Sequence, residues 1–120
     1  MRAIRVLMAE DEVLAAEVLE EALSAAGFAI LAAVDGQAAL DLADHHGFDV
    51  LLTDLRMPRM DGGELIRLLR LRRPNLPVVV MTGYDPEEAR LLEGPGPLRL
   101  LSKPLRIDQV VAALVDVVSH

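Results

Sequence analysis

Residues 4–9 read IRVLMA and run directly into three acidic residues, Glu10, Asp11 and Glu12. Residues 4–9 form a short, almost wholly apolar stretch that is rich in branched side chains. This is the pattern of a strand buried on both faces of a parallel sheet. Two more stretches share this character, VLLT at 50–53 and VVVMT at 78–82, and weaker ones lie at 28–34 and 98–101. The sequence therefore predicts five strands.

Helical patterns occupy the intervals between these strands. Residues 13–26 predict an amphipathic helix that Gly27 ends, with one face made of Ala15, Val18, Leu19, Ala22, Leu23 and Ala26. The last helix, at 107–118, turns Ile107, Val110, Val111, Leu114 and Val118 inward. A third, at 65–71, carries Arg67, Arg70, Arg72 and Arg73 on or near its exposed side, and weaker patterns lie at 37–46 and 86–93. Alternating strands and helices predict an α/β fold, with a parallel sheet covered on both faces.

Size and composition limit the classes of protein to which the chain can belong. A chain of 120 residues fits one domain, spanning 1–120, and the absence of cysteine excludes disulfides and thiolate chemistry. A formal charge of −7 argues against direct binding of nucleic acid. No apolar run reaches the roughly 18 residues of a membrane span, and the first residues lack a signal-peptide pattern. We therefore expect a cytoplasmic domain without membrane insertion.

Polar residues follow four of the predicted strands at the points where those strands end. They are Glu10-Asp11-Glu12 after the first, Asp54 after the third, Thr82 in the fourth, and Ser102-Lys103-Pro104 after the fifth. Because parallel strands end at the same edge of a sheet, these residues are expected to converge there, where ligands of open α/β sheets bind.

The converging residues suit phosphoryl chemistry with a divalent cation. Neighbouring carboxylates repel one another unless a cation neutralises them, and magnesium takes one or two carboxylates with waters and phosphate oxygens. Asp11 and Asp54 are candidate ligands, with a water bridging to Glu10. Lys103 and Thr82 can then contact a phosphoryl group on Asp54, whose carboxylate is a competent nucleophile beside a metal.

Four stretches together resemble the receiver domains of two-component response regulators. They are VLMAEDE at 6–12, LLTDLRMPRMDGG at 51–63, PVVVMTGY at 77–84 and LSKPL at 101–105. Each is weak alone, but their order and spacing follow the family over essentially the whole chain. The resemblance implies a flavodoxin-like (βα)5 fold, a doubly wound five-stranded parallel sheet in the order 2-1-3-4-5.

The resemblance also implies roles for individual residues. Asp54 would be the phosphoacceptor and Thr82 and Lys103 its phosphoryl contacts. The metal, magnesium or alternatively manganese, would be held by Glu10, Asp11, Asp54 and the backbone carbonyl of Arg56. Lys103-Pro104 would be a cis peptide, and Arg56 and Tyr84 would border the site.

Partners follow from the same resemblance. The phosphoryl donor would be a histidine kinase or a histidine phosphotransfer protein, and the domain would not be an enzyme in its own right. An effector or a second copy would bind the face made by the helix at 86–93, the strand at 98–101 and the helix at 107–118.

Two features depart from the family pattern. The usual aromatic switch residue falls at Leu100, and a leucine has no ring to swing between buried and exposed positions. The helix at 86–93 is followed by Gly94-Pro95-Gly96-Pro97, which resists helix continuation.

Two other functions remain open from the sequence. A haloacid-dehalogenase-type phosphatase also uses a strand-end aspartate with magnesium, but its second aspartate would stand at the position of Arg56. A protein-interaction domain of the same fold that works without phosphorylation is the other alternative, and Leu100 favours it. Asp54 alone could also be an ordinary capping aspartate.

Overall fold

The computed structural model of the chain describes residues 2–83 and 94–119. The predicted helix at 86–93 and Tyr84 lie outside the described residues. The strands are β1 (Arg5–Ala9), β2 (Ala29–Ala33), β3 (Val50–Asp54), β4 (Val78–Thr82) and β5 (Leu98–Ser102). The helices in the described part are α1 (Val13–Ala25), α2 (Gly36–His45), α3 (Gly62–Arg72) and, near the end of the chain, α4 (Ile107–Val118).

All five strands pair in parallel in the order β2-β1-β3-β4-β5. This confirms the predicted doubly wound sheet and its strand order. β1 and β3 are paired neighbours that run in the same direction, so they end beside each other. β4 pairs with β3 on its other side and adds the end of a third buried strand. None of the helices in the described ranges is long and apolar enough to cross a bilayer.

Two apolar cores form, one on each face of the sheet, because successive residues of a strand point to opposite sides. Val6 and Met8 of β1 face the core under α1 and α4, whereas Leu7 and Ala9 face the core under α2 and α3. β3 and β4 are buried along their entire length. This double burial is why the strands read as continuous apolar runs.

The buried face of α1 is narrower than the sequence pattern predicts. Leu19 and Leu23 are buried as expected, but Val18 is 62% exposed and Ala26 is exposed just beyond the helix. Ala16, which the pattern did not place inward, packs against the core instead. A helix packed on one face of a sheet buries only the stripe that faces it, so apolar residues at the margin of the pattern stay in solvent.

α3 begins at Gly62, three residues before its predicted start. Asp61 caps it, since the Asp61 side chain accepts the amide hydrogen of Glu64 at 2.8 Å. Two glycines at the start lower helix propensity, and the periodic pattern therefore did not include this first turn.

The sequence pattern placed the arginines of α3 on or near its exposed side, but Arg70 and Arg73 make contacts with other segments of the chain. Arg70 is half-buried and donates to the backbone carbonyl of Leu76 at 3.1 Å and to that of Pro97 at 3.2 Å. Arg73, just after the helix, donates to the Phe48 carbonyl and stacks over the Phe48 ring. Arg70 thus joins α3 to the segments that lead into β4 and β5.

Replacement of Arg70 by methionine is expected to lower the free energy of unfolding by about 1–3 kcal/mol. Methionine keeps the apolar stem but leaves the carbonyls of Leu76 and Pro97 without their donor. Arg67→Met is the matched control, because Arg67 lies on the same helix with a 62% exposed side chain that pairs with Glu64 one turn away. Urea denaturation should show a change below about 0.5 kcal/mol for that control. Equal losses in both variants would contradict a bridging role for Arg70.

Candidate functional site

Four strand ends bring the predicted residues to one edge of the sheet. Glu10 follows β1 directly, Asp54 is the last residue of β3, Thr82 is the last of β4, and Lys103 follows β5. Backbone hydrogen bonds continue the sheet past its last rungs: the amide of Glu10 donates to the Ala33 carbonyl and that of Lys103 to the Thr82 carbonyl. These bonds fix the backbone on which the side chains stand.

Three carboxylates form a compact acidic cluster at this edge. Glu10, Asp11 and Asp54 each present an oxygen within 4.8 Å of the others. Glu10 is 2% exposed and Asp54 is 7% exposed, whereas Asp11 lies in solvent. The structure therefore brings together the three acidic side chains that the sequence proposed as metal ligands.

Lys103 follows the edge strand β5, and its side chain contacts the cluster. Its Nζ lies 2.7 Å from Oδ2 of Asp54 and 4.0 Å from Oε1 of Glu10. The peptide bond between Lys103 and Pro104 is cis, as predicted. A half-exposed ammonium in contact with a buried carboxylate is a charge-assisted hydrogen bond of the strong kind.

Burial and neighbouring charges shift the pKa values of Glu10 and Lys103. Burial, together with the adjoining Asp54 carboxylate, raises the pKa of Glu10 to about 8, although the Lys103 charge acts in the opposite direction. For Lys103, partial burial lowers the pKa, but the hydrogen bond and charge of Asp54 and the charge of Glu10 outweigh it, so the pKa of Lys103 is raised. The site thus has more negative charge than its one lysine neutralises.

The donor set fits a hard divalent cation. Both oxygens of Glu10 are buried, and neither has a hydrogen-bond partner within the described part of the chain. Buried oxygens without donors are costly, and a cation coordinated directly or through water satisfies them. All the side-chain ligands on offer are carboxylate oxygens, which magnesium, calcium and manganese accept.

Two other predicted residues lie at the same edge of the sheet. Thr82 is 1% exposed and ends the strand next to β3, and the side chain of Arg56 is exposed just past Asp54. Whether the Arg56 carbonyl serves as a ligand stays a prediction. Leu100, at the family's aromatic switch position, is partly buried and packs against the core beneath α2 and α3.

The loop between β3 and α3 depends on residues that sequence reasoning did not single out. The amide of Gly62 donates to the Leu55 carbonyl at 2.8 Å, and a Cβ on Gly62 would stand 2.2 Å from the carbonyl oxygen of Asp54. Asp35, which follows β2 and caps α2, bonds Arg59 in this loop. The signal for Asp35 was present, since it too is a polar residue just after a predicted strand.

These observations define the class of protein: a doubly wound α/β domain with an acidic cluster whose oxygens fit a divalent cation, and a lysine in contact with its central aspartate. Comparison with known proteins agrees. The model of the response regulator receiver domain matches residues 6–115. The transcriptional regulator NtrC of Klebsiella pneumoniae is 39% identical over 104 residues, which are 86% of this chain and 22% of NtrC.

Two further relatives extend the likeness. The response regulator MprA of Mycobacterium sp. strain KMS is 33% identical over 112 residues, which cover 92% of this chain and 49% of MprA. The crystal structure of a response regulator receiver protein from Sinorhizobium medicae WSM419 superposes with a TM-score of 0.89 at 28% identity, covering 98% of this chain and 95% of that one. The chain therefore spans less than a quarter of the length of NtrC and about half of the length of MprA.

The chain belongs to the response regulator receiver domain family. It is a signalling domain of the kind that two-component phosphorelays use. This assignment favours the receiver over the phosphatase, and none of these comparisons favours the interaction domain that works without phosphorylation.

Proposed function

We propose that Asp54 accepts a phosphoryl group from a phosphohistidine in a reaction that depends on magnesium, and that the modified domain changes conformation. The observation that carries the proposal is the contact of Lys103 Nζ with Asp54 Oδ2 at 2.7 Å beside the carboxylates of Glu10 and Asp11. A strand-end aspartate that only caps a helix needs neither a lysine nor two acidic neighbours.

The chemistry is a transfer between two nucleophiles. A carboxylate oxygen of Asp54 attacks phosphorus, the new P–O bond replaces the P–N bond of the donor, and the imidazole leaves with its electron pair and takes up a proton. The product is an acyl phosphate. Magnesium, held by Glu10, Asp11, Asp54 and the Arg56 carbonyl, would neutralise the carboxylates and the phosphoryl oxygens; manganese is the alternative ion.

The chain's own residues position and stabilise the transferred group. Lys103 places an ammonium beside Asp54, and its positive charge would offset the negative charge of the phosphoryl oxygens. The Thr82 hydroxyl, at the end of the neighbouring strand, would donate to a phosphoryl oxygen and turn towards it. Burial of Asp54 at 7% exposure limits the access of water to the acyl phosphate.

The same proposal extends to partners and context. The donor would be a histidine kinase or a histidine phosphotransfer protein, the domain would span residues 1–120 in the cytoplasm, and it would act as phosphoacceptor and not as an enzyme on other substrates. The effector or self-association face, made by residues 86–93, β5 and α4, stays a prediction, and residues 86–93 lie outside the described part of the chain.

Acetyl phosphate provides the test. Incubation of the wild-type protein with acetyl phosphate and magnesium is expected to add one phosphoryl group by intact mass, and EDTA is expected to prevent it. Asp54→Asn should remain unmodified because an amide is not nucleophilic enough. Asp61→Asn is the matched control, since Asp61 lies in the following loop and asparagine caps a helix as well as aspartate; it should be modified like wild type.

Three outcomes would contradict the proposal. An unmodified wild type would favour the interaction domain, and continued release of phosphate from a phosphate ester would favour the phosphatase. Modification of Asp54→Asn to the wild-type extent would place the acceptor at another residue.

A further inference from the structure

An ion pair fastens the tip of the loop between β3 and α3 to the start of α2. The guanidinium of Arg59 contacts Oδ2 of Asp35, and Asp35 is only 4% exposed. The other oxygen, Oδ1, accepts the amide hydrogen of Ala38 at 2.8 Å and so caps α2. Asp35 therefore uses one oxygen for its own helix and the other for the loop.

The backbone at Arg59 supports a specific role for this pair. Arg59 has φ of 68°, and it is the one non-glycine residue with positive φ in the described ranges. Left-handed backbone disfavours side chains with a Cβ, and glycine or asparagine adopts it at lower cost. A strained residue persists where surrounding contacts hold it, and the contact with Asp35 is one that requires this side chain.

A second contact between the same two segments lies beside the ion pair. A Cβ on Gly36 would stand 2.9 Å from the Cβ of Met60 and 3.0 Å from its carbonyl oxygen. The absence of a side chain at Gly36 thus lets Met60 lie against the first turn of α2. The tip of the loop is held at two consecutive residues, Arg59 and Met60, by two consecutive residues, Asp35 and Gly36.

The base of the loop is fixed separately. The Gly62 amide closes it by donating to the Leu55 carbonyl at 2.8 Å, and the Leu55 amide donates to the Met81 carbonyl of β4 at 3.1 Å. Between base and tip lies Arg56, whose carbonyl is the proposed backbone ligand. Displacement of the tip would pivot this segment about its base and move that carbonyl relative to Asp54.

We propose that Asp35 and Arg59 are positioning residues, a latch that holds the loop after Asp54 in the arrangement required for cation binding. The proposal deepens the proposed function and rests on it for the identity of the cation. Within the described ranges, the side chains of Asp35 and Arg59 bond to each other and to the Ala38 amide, and not to the acidic cluster. Both residues would therefore act through the backbone of the loop.

The simpler interpretation is an ordinary surface ion pair, because the Arg59 side chain is 75% exposed and such pairs contribute little to global stability. An ordinary surface ion pair and a latch predict changes in different quantities. A surface pair changes global stability slightly and the site not at all, whereas the latch changes local opening of the loop and cation affinity.

The experiment uses Arg59→Asn, Asp35→Asn and the double variant. Asparagine tolerates the left-handed backbone at position 59 and retains a capping oxygen at position 35, so both substitutions remove the ion pair with little other change. Amide hydrogen exchange at Gly62 and Met60 is measured without metal, and magnesium affinity is measured by calorimetry.

Each single variant is expected to speed exchange at Gly62 and Met60 by about fivefold and to weaken magnesium binding by about three- to fivefold, the size that loss of one partly exposed ion pair allows. The double variant should be no worse than the singles, because both remove the same interaction. Arg59→Lys should restore part of the affinity. Arg72→Asn is the matched control: Arg72 pairs with Asp44 and also joins α3 to α2, but at the other end of the helix, and it should change neither readout.

Wild-type exchange and wild-type affinity in all variants would overturn the latch, as would additive losses in the double variant. The two proposals fail separately. A wild-type protein that takes no phosphoryl group contradicts the proposed function, whereas unchanged exchange at Gly62 and Met60 contradicts the latch whether or not magnesium binds.

Discussion

Gly62→Ala is expected to lower the free energy of unfolding by about 3 kcal/mol and to weaken divalent-cation binding by about tenfold, which corresponds to about 1.4 kcal/mol. The added Cβ would stand 2.2 Å from the Asp54 carbonyl oxygen and 3.0 Å from the Leu55 Cα. Both are backbone atoms at the end of a central strand, so neither can rotate away. The start of α3 must therefore move, and with it the loop that follows Asp54.

This effect opposes helix propensity, which makes it diagnostic. Alanine is favoured over glycine within a helix by about 0.5–1 kcal/mol, so a stabilised variant would be expected without the close approach. Urea denaturation followed by circular dichroism and calorimetric titration with magnesium measure the two quantities. A variant as stable as wild type, with unchanged affinity, would show that α3 can begin without this contact.

Gly47→Ala serves as the matched control. Among the described residues its Cβ would meet a single atom, a guanidinium nitrogen of Arg5 at 3.3 Å, and that flexible side chain can move aside. The expected change in unfolding free energy is below about 0.5 kcal/mol, and cation affinity should be unaltered.

The stability of the metal-free protein is expected to fall by about 2–5 kcal/mol as pH rises from about 4.5 to about 8, because of Glu10. The pKa of Glu10 is raised from its ordinary value of 4.5 to about 8 in the folded state. Between these values the folded protein holds a proton that the unfolded chain has released. The stabilisation is therefore complete below pH 4.5, is lost as pH rises towards 8, and stays lost above it.

Glu10→Gln should remove this component of the pH dependence, because the amide cannot ionise. In EDTA at pH 8 the variant is expected to be more stable than wild type, and addition of magnesium should narrow the difference by stabilising wild type. Chemical denaturation at a series of pH values, with and without magnesium, measures both effects.

Glu12→Gln is the control for Glu10, since Glu12 belongs to the same acidic run but is exposed and lies outside the cluster. It should retain the wild-type difference between low and high pH. Parallel curves for wild type and Glu10→Gln in EDTA would contradict a buried, proton-binding Glu10.

The sequence predicted the elements well where a residue's environment follows from its neighbours in the chain. The buried strands at 50–53 and 78–82 were identified within one residue of the observed β3 and β4. The acidic run at Glu10 and Asp11, the strand end at Asp54 and the lysine after β5 were all found, because a parallel sheet brings strand ends to one edge whatever the side chains between them.

Predictions were poorer where the burial of a side chain depends on which other segment packs against it. Val18 fits the apolar face of its helix yet is exposed, and Arg70 fits the polar face yet is half-buried against two backbone carbonyls. Periodicity ranks faces of a helix but does not say how wide the covered stripe is. The start of α3 was missed for a related reason, since a side-chain cap and a close backbone approach offset the low propensity of glycine.

By itself, then, the sequence determined the five-stranded parallel sheet and the set of residues at its carboxyl edge, because hydrophobic periodicity and strand direction are properties of the chain. Only the tertiary structure decided that Lys103 touches Asp54, that both oxygens of Glu10 are buried, and that Asp35 holds Arg59. These are contacts between segments distant in sequence, and side-chain distances of a few ångströms are set by how helices and loops pack on the finished sheet.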